Sequence, residues 1–241
     1  MKKINFKNSK GLNLVGVLQE PKEKTDSIVI MVHGFTSNKD RPRFLKLAEE
    51  LNNNNFSTFR FDSTGSGESD EGLITIEAYV DDYKSAFNYV KTLGYSNVFV
   101  MGESIAGLNV TLGYTDEIKA IVFWCPVTAK STPYFNNEKV KKEIEEKGFY
   151  SRFKDNKYFK IPQQYIDERE NINQEELLSK IKCPVLIIHG TEDNSVSIKQ
   201  SEDAIKILKT SKLIKTPSRH HNLDEFLDQM IPWTVNWFKQ N

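Results

Sequence analysis

Two cysteines, four histidines and no surplus of either charge limit what this 241-residue chain can do. Lys plus Arg and Asp plus Glu both number 33, so no basic excess exists to drive binding to nucleic acid or an anionic membrane by counterion release. Small molecules are the expected partners, and no nucleic acid. The longest purely aliphatic run, Ile28 to Val32, falls far short of the roughly 20 residues that cross a bilayer, which argues against membrane insertion. The opening MKKINFKNSKG carries basic residues without the apolar core of a signal peptide, so a soluble, cytoplasmic protein is expected. Cys125 and Cys183 are too few for a disulfide framework and lie in no zinc or redox spacing; both are expected to be small buried hydrophobes.

What is present is an alternation of short apolar runs with amphipathic stretches, the pattern of a mostly parallel sheet covered by helices on both faces. The length fits a single domain over residues 1–241. INFKN and LNLVGVL, around Lys10-Gly11, predict an antiparallel hairpin at a sheet edge. Six parallel strands are predicted after it: Ser27–His33, Ser57–Asp62, Asn97–Gly102, Ala120–Cys125, Pro184–Gly190 and Lys212–Thr216. Periodicity predicts helices over Arg43–Asn53, Ile76–Leu93, Ser197–Lys209 and Leu223–Lys239, the last in spite of Pro232. Cys125 then ends a strand at one edge of the sheet and Cys183 precedes a strand at the other. About five residues of strand, some 15 Å, separate them against a disulfide limit near 7 Å, which predicts two free thiols.

One connection is too long. Val127 to Lys182 spans roughly 55 residues where a crossover needs far fewer, so residues 127–182 are expected to be an inserted lid subdomain. It combines charged helical patches such as NEKVKKEIEEK with Tyr134, Phe135, Phe149, Tyr150, Phe153, Tyr158, Phe159 and Tyr165. An insertion after a strand's carboxyl end lies over the crevice where open α/β sheets bind ligands. Its aromatics suit contact with a bound small molecule, and equally a small core of the lid's own or a homodimer face.

Gly102-Glu103-Ser104-Ile105-Ala106-Gly107 contains G-x-S-x-G. Chance alone gives roughly one such match in twenty chains of this composition, so its setting between a strand and a helix-competent segment carries the weight. A sharp turn that presents a serine needs small flanking residues, which Gly102, Ala106 and Gly107 supply. Serine is a weak nucleophile without a histidine base oriented by a carboxylate. Of the four histidines, His221 in the loop before the final helix is preferred as base, with His220 as its rival. Asp193 in G-T-E-D-N-S-V is the preferred carboxylate, with Glu192 as substitute.

The order Ser, Asp, His along the chain is the α/β-hydrolase order. The sequence resembles that superfamily over nearly its whole length: H-G-F at His33 to Phe35, D-S-T-G-S-G-E-S at Asp62 to Ser69, G-E-S-I-A-G, H-G-T-E-D-N-S-V, and H-N-L at His221 to Leu223. The resemblance implies an α/β-hydrolase fold, with Ser104 as nucleophile, Asp193 as acid and His221 as base. It places the oxyanion hole on the backbone N–H groups of Phe35 and Ile105, and it implies no cofactor and no metal. His33 is expected to brace its loop, and Ser66 and Ser69 to be turn residues. The H-G-F-T-S-N-K-D run and the insertion look most like small carboxylesterases of the feruloyl (cinnamoyl) esterase type. The expected function is hydrolysis of small acyl or aromatic-acyl esters. A monoacylglycerol lipase, lysophospholipase or thioesterase with the same triad is the alternative, and a non-catalytic small-ligand receptor on this scaffold is the alternative of another class.

Overall fold

The computed structural model describes residues 1–241 apart from Thr132 and Tyr134. Its central sheet has eight strands in the spatial order β1-β2-β4-β3-β5-β6-β9-β10. In chain order the elements are β1 (Lys2–Lys7), β2 (Asn13–Gln19), β3 (Ser27–Val32), α1 (Pro42–Asn53), β4 (Ser57–Phe61), α2 (Ile76–Thr92), β5 (Asn97–Glu103), α3 (Ala106–Leu112) and β6 (Ile118–Trp124). Next come α4 (Glu138–Lys147), β7 (Tyr150–Lys154), β8 (Lys157–Ile161), α5 (Gln163–Glu170) and α6 (Gln174–Leu178). The chain closes with β9 (Val185–Gly190), α7 (Lys199–Ile207), β10 (Ser211–Thr216) and α8 (Leu227–Gln240). β1 and β2 form the expected antiparallel hairpin, β2 pairs antiparallel with β4, and the six strands from β3 to β10 in the sheet are mutually parallel.

Strand periodicity sorts the core into two layers. Ile28, Ile30 and Val32 of β3 pack with Tyr83, Phe87 and Val90 of α2 and Ala204 of α7, while Val29 and Met31 pack on the opposite face with Phe44 and Leu47 of α1 and Met230 and Phe238 of α8. Because both faces are covered, β3 reads as a continuous apolar run instead of an alternating one. Each such side chain contributes roughly 1.5–3 kcal/mol on burial. The last helix differs in detail from its sequence reading. A single 3₁₀ turn, Asp224–Phe226, precedes it, and the buried seam is Met230, Ile231, Thr234, Val235 and Phe238, with Trp233 and Trp237 only packed against its edge. Thr234 is buried because its hydroxyl accepts from Trp124 Nε1 at 3.1 Å and donates to the Met230 carbonyl at 2.8 Å.

The segment between β6 and β9 is not purely helical. Two helical stretches flank an antiparallel hairpin of β7 and β8, closed by Asp155 and Asn156 with φ of 50° and 59°. Consecutive left-handed residues make a type I′ turn, whose twist matches that of the paired strands and which Asn and Asp tolerate. The D-N pair between alternating YSRFK and KYFKI is the signal that marks it in the sequence. The segment is tied to the body where Ile74 N–H donates to the Lys160 carbonyl at 2.8 Å. Of its aromatics, Phe159 and Tyr165 are buried, whereas Phe153 and Tyr158 are exposed and pack on one another at 4.8 Å between ring centroids. Tyr134 lies outside the described residues. Cys125 and Cys183 are both buried and free. Among the described residues no helix is long and apolar enough to cross a membrane.

Candidate active site

Strand order decides where chemistry can occur. β3 has β4 on one side and β5 on the other, so the chain reverses its direction of progress across the sheet there, and a crevice opens at the carboxyl ends of β3 and β5. His33-Gly34-Phe35 leaves β3 at this crevice and Ser104 leaves β5, in a register that pairs Val32 with Gly102. Gly34 is a close-approach glycine: a Cβ on it would stand 3.3 Å from Ser104 Cβ.

Ser104 has a φ of 56°, the left-handed region that a non-glycine residue enters only under constraint. Its N–H donates to the Trp124 carbonyl at 2.9 Å, and its own carbonyl accepts from Gly107 at 3.0 Å and Val127 at 2.8 Å. These bonds hold the turn from three sides. Gly107 makes the packing possible, since a Cβ there would lie 2.5 Å from the Val127 carbonyl oxygen and 2.7 Å from Pro126 Cβ. Gly107→Ala is therefore expected to cost about 1–3 kcal/mol, as overpacking does, and to lower activity as the turn shifts. Thermal unfolding alongside the wild type checks this, and an unchanged melting temperature would contradict it.

The structure brings Ser104, His221 and Asp193 together from three loops. His221 Nε2 lies 2.8 Å from Ser104 Oγ, and His221 Nδ1 lies 2.7 Å from Asp193 Oδ2. A carboxylate only accepts, so Nδ1 carries the proton and Nε2 offers its lone pair to the serine hydroxyl. The loops bearing Asp193 and His221 are joined by the Thr191 N–H to the Thr216 carbonyl at 2.8 Å and the Glu192 N–H to the Ser218 carbonyl at 3.0 Å. His220 points away from this chain of bonds, with its Nδ1 3.3 Å from Glu225 Oε1 and its side chain 60% exposed. Glu192 is exposed, while the Asp193 side chain is fully covered.

Asp193 has more donors than sequence reading gave it. Oδ1 accepts from the Ser195 and Val196 amides at 2.8 and 3.0 Å. Oδ2 is shared by His221 and by His189, whose Nε2 is 3.2 Å away and also reaches the Val196 carbonyl at 3.0 Å. The Val196 carbonyl and the Asp193 carboxylate only accept, which assigns the His189 proton to Nε2 and leaves Nδ1 to accept from the Ser201 hydroxyl at 2.7 Å. Burial alone would raise the Asp193 pKa, but the donors from His189, His221 and Val196 outweigh it and hold the carboxyl well below the usual carboxylate range. His189 was legible as a strand-end histidine four residues before the acid, but its contact with that acid depends on how the loop folds back.

Cys125, His189 and Asp193 present ligating atoms within 4.8 Å of one another. His189 and Asp193 are already committed to the bonds above. Burial and the Asp193 charge push the Cys125 thiol well above its ordinary pKa, so it is a poor thiolate ligand. His33 is neutral and structural in its contacts: burial lowers its pKa, Nδ1 donates to the Gly34 carbonyl at 2.7 Å and Nε2 accepts the Ser63 amide at 3.0 Å. In the neighbouring loop, Asp62 is buried and accepts from Lys39 N–H at 2.7 Å, Lys39 Nζ at 2.8 Å and Glu68 N–H at 3.0 Å. Ser69 there bonds the Asp62 carbonyl and the Val15 amide, a turn residue's role.

Phe35 and Ile105 flank Ser104, and their backbone N–H groups donate to no protein acceptor among the described residues. Two cavities meet at the serine. An open one of about 600 Å³ is lined by Arg41, Arg43, Glu103, Asp155, Asp224 and Glu225 with Ser104 and His221. A second, of about 300 Å³, lies against the segment between β6 and β9, with Phe35, Ile105, Val127, Phe135 and Tyr165 in its wall. The Phe35 ring stacks on Tyr165 at 4.8 Å and on Phe135 at 5.7 Å. The geometry is that of a serine hydroxyl with a base, an oriented acid and two free amide donors between an open mouth and a partly apolar chamber.

Comparison with known proteins agrees with this reading of the fold. Residues 23–180 match the model of the Hydrolase_4 family, described as serine aminopeptidase, S33. The mitochondrial palmitoyl-protein thioesterase ABHD10 of Bos taurus is 24% identical over 220 residues, covering 86% of this chain and 71% of that one. A carboxylesterase of Bacillus subtilis is 27% identical over 186 residues, 75% of this chain and 68% of its own length. Among solved structures, Est1E from Butyrivibrio proteoclasticus with ferulic acid bound superposes with a TM-score of 0.84 over 98% of both chains at 24% identity, a likeness of fold. The chain belongs to the Hydrolase_4 (serine aminopeptidase S33) family and is a serine hydrolase of the α/β-hydrolase fold.

Proposed function

We propose that the protein is a serine carboxylesterase that hydrolyses small acyl or aromatic-acyl esters through an acyl-enzyme on Ser104. The observation that carries this reading is the unbroken hydrogen-bond chain from Asp193 through His221 to Ser104 at the junction of the two cavities. Ser104 Oγ attacks the ester carbonyl as its proton passes to His221 Nε2. The carbonyl oxygen becomes an oxyanion between the Phe35 and Ile105 amides, where each preorganised donor is commonly worth about 3 kcal/mol of barrier. His221 then gives its proton to the departing alkoxide, which leaves through the open mouth. A water entering the same way is deprotonated by His221 and releases the acid.

The inner cavity suits the acyl group, which must stay while the alcohol departs. Its stacked Phe35, Phe135 and Tyr165 offer flat apolar walls to a short chain or an aromatic ring. Similarity to palmitoyl-protein thioesterases favours a second reading, thioester cleavage by the same residues. A chamber of about 300 Å³ with cationic side chains in its wall is a poor fit to a long alkyl chain, which places the ester reading first. The mouth carboxylates Glu103 and Asp155 already meet Arg43 and Arg41, which weighs against capture of a peptide's free amino terminus.

Fluorophosphonate labelling combined with turnover of p-nitrophenyl acetate, methyl ferulate and palmitoyl-CoA tests the proposal. Labelling with preferred cleavage of the oxygen esters is expected. Cleavage of palmitoyl-CoA alone would move the assignment to thioesterase. No labelling, with turnover below about 0.01 per second on every substrate against a typical enzyme median near 10, would leave ligand sensing.

A further inference from the structure

The inner cavity differs from the mouth in its charge. Arg152 and Lys154 of β7 and Arg169 of α5 contribute to its wall. Alternation along β7 sends Tyr150, Arg152 and Lys154 to one face, and the exposed Phe153 to the other. The Arg152 guanidinium lies 5.4 Å over the Phe35 ring. Lys154 Nζ donates to the Thr36 carbonyl at 3.0 Å. Arg169, a residue 9% exposed, donates to Ser131 Oγ and, at 3.4 Å, to the Tyr165 hydroxyl. The acceptors holding Lys154 and Arg169 are thus neutral oxygens.

Among the described residues no Asp or Glu lines this cavity. The mouth, by contrast, mixes Arg41, Arg43 and Lys154 with Glu103, Asp155, Asp224 and Glu225. Asp155 and Glu103, the carboxylates whose charge reaches Lys154, are paired with Arg41 and Arg43. Burial lowers the pKa of Arg152, and burial together with Arg41 and Arg152 lowers that of Lys154 in spite of the opposing charges of Asp155 and Glu103. At Lys154 and Arg169 neutral side chains could make the same contacts to carbonyl and hydroxyl oxygens with less desolvation, so packing alone does not account for these two cations at one small chamber.

We propose that the inner cavity binds an acyl group ending in a carboxylate, making half-esters of dicarboxylic acids the preferred substrate class. This rests on the esterase reading. The ester carbonyl must lie at Ser104 and the Phe35 and Ile105 amides, so the carboxylate sits further along the acyl chain, among the cations of the insertion. Guanidinium groups present paired donors that match a planar carboxylate, and the methylenes between lie against Phe35, Phe135 and Val127.

The test compares p-nitrophenyl hydrogen adipate with its neutral methyl ester, two substrates with one leaving group and one chain length. In wild type the acid is expected to have the higher kcat/KM by about tenfold or more at low salt, with the advantage shrinking in 0.5 M NaCl. The acid-to-ester ratio is expected to fall about tenfold in both Arg152→Gln and Lys154→Gln, and to invert in Arg152→Glu. Equal rates in wild type, or a ratio unmoved by all three substitutions, would overturn the inference. If the neutral ester is cleaved in a Ser104-dependent way without that preference, the inference alone falls. If neither is cleaved, the esterase reading falls and takes the inference with it.

Discussion

Ser104→Ala is expected to lower kcat on p-nitrophenyl esters by roughly 10⁴-fold or more and to abolish fluorophosphonate labelling. The hydroxyl removed is the one that lies 2.8 Å from His221 Nε2 and at the meeting of both cavities. Stability should change little, because the strained turn is held by backbone bonds from Trp124, Gly107 and Val127 that alanine retains. A folded variant that loses labelling but keeps activity within tenfold of wild type would show that another group is the nucleophile. Phe35→Ala should fall short of this loss. The contribution proposed for it at the oxyanion is a backbone amide that survives the substitution, while its ring's stacking on Tyr165 and Phe135 does not.

Asp193→Asn is expected to lower kcat by about 10³–10⁴-fold while leaving the heavy atoms nearly in place. The carboxylate accepts at both oxygens, from His221 and His189 on one and from the Ser195 and Val196 amides on the other. An asparagine must turn its amide NH₂ toward one of these sets, so a donor faces donors whichever way it flips. With the NH₂ toward His221, the imidazole adopts the tautomer that puts its proton on Nε2, where it can no longer accept from Ser104. With it toward the loop, the Ser195 and Val196 amides lose their acceptor, and for the amide of the buried Val196 this costs about 1–3 kcal/mol. Kinetics and thermal unfolding on one preparation separate the two. A variant with kcat within tenfold of wild type would remove Asp193 from the mechanism.

Legibility in the sequence followed the range of the interactions concerned. The buried strands were readable because covering a parallel strand on both faces demands an unbroken apolar run, as in Ser27–Val32. The serine turn was readable because its constraint is local: small residues at 102, 106 and 107 around a serine that must enter the left-handed region. The β7–β8 hairpin was missed because its charged, aromatic strands mimic an irregular surface segment, and only the Asp155-Asn156 turn marks it. Among the insertion's aromatics, composition could not separate Phe135 and Tyr165, which face the serine's chamber, from Phe153 and Tyr158, which face solvent.

Alone, the sequence determined the fold class, the chain order of Ser104, Asp193 and His221 and the strand ends they follow, because periodicity, turn chemistry and order along the chain are local properties. Tertiary structure decided that His189 shares the Asp193 carboxylate, that Arg43 and Arg41 neutralise Glu103 and Asp155, and that Arg152, Lys154 and Arg169 gather at one chamber with no carboxylate among its described lining. Those outcomes depend on which loops meet across the sheet's carboxyl edge. The field at a site is set by distance in space, and separation along the chain carries almost no information about it.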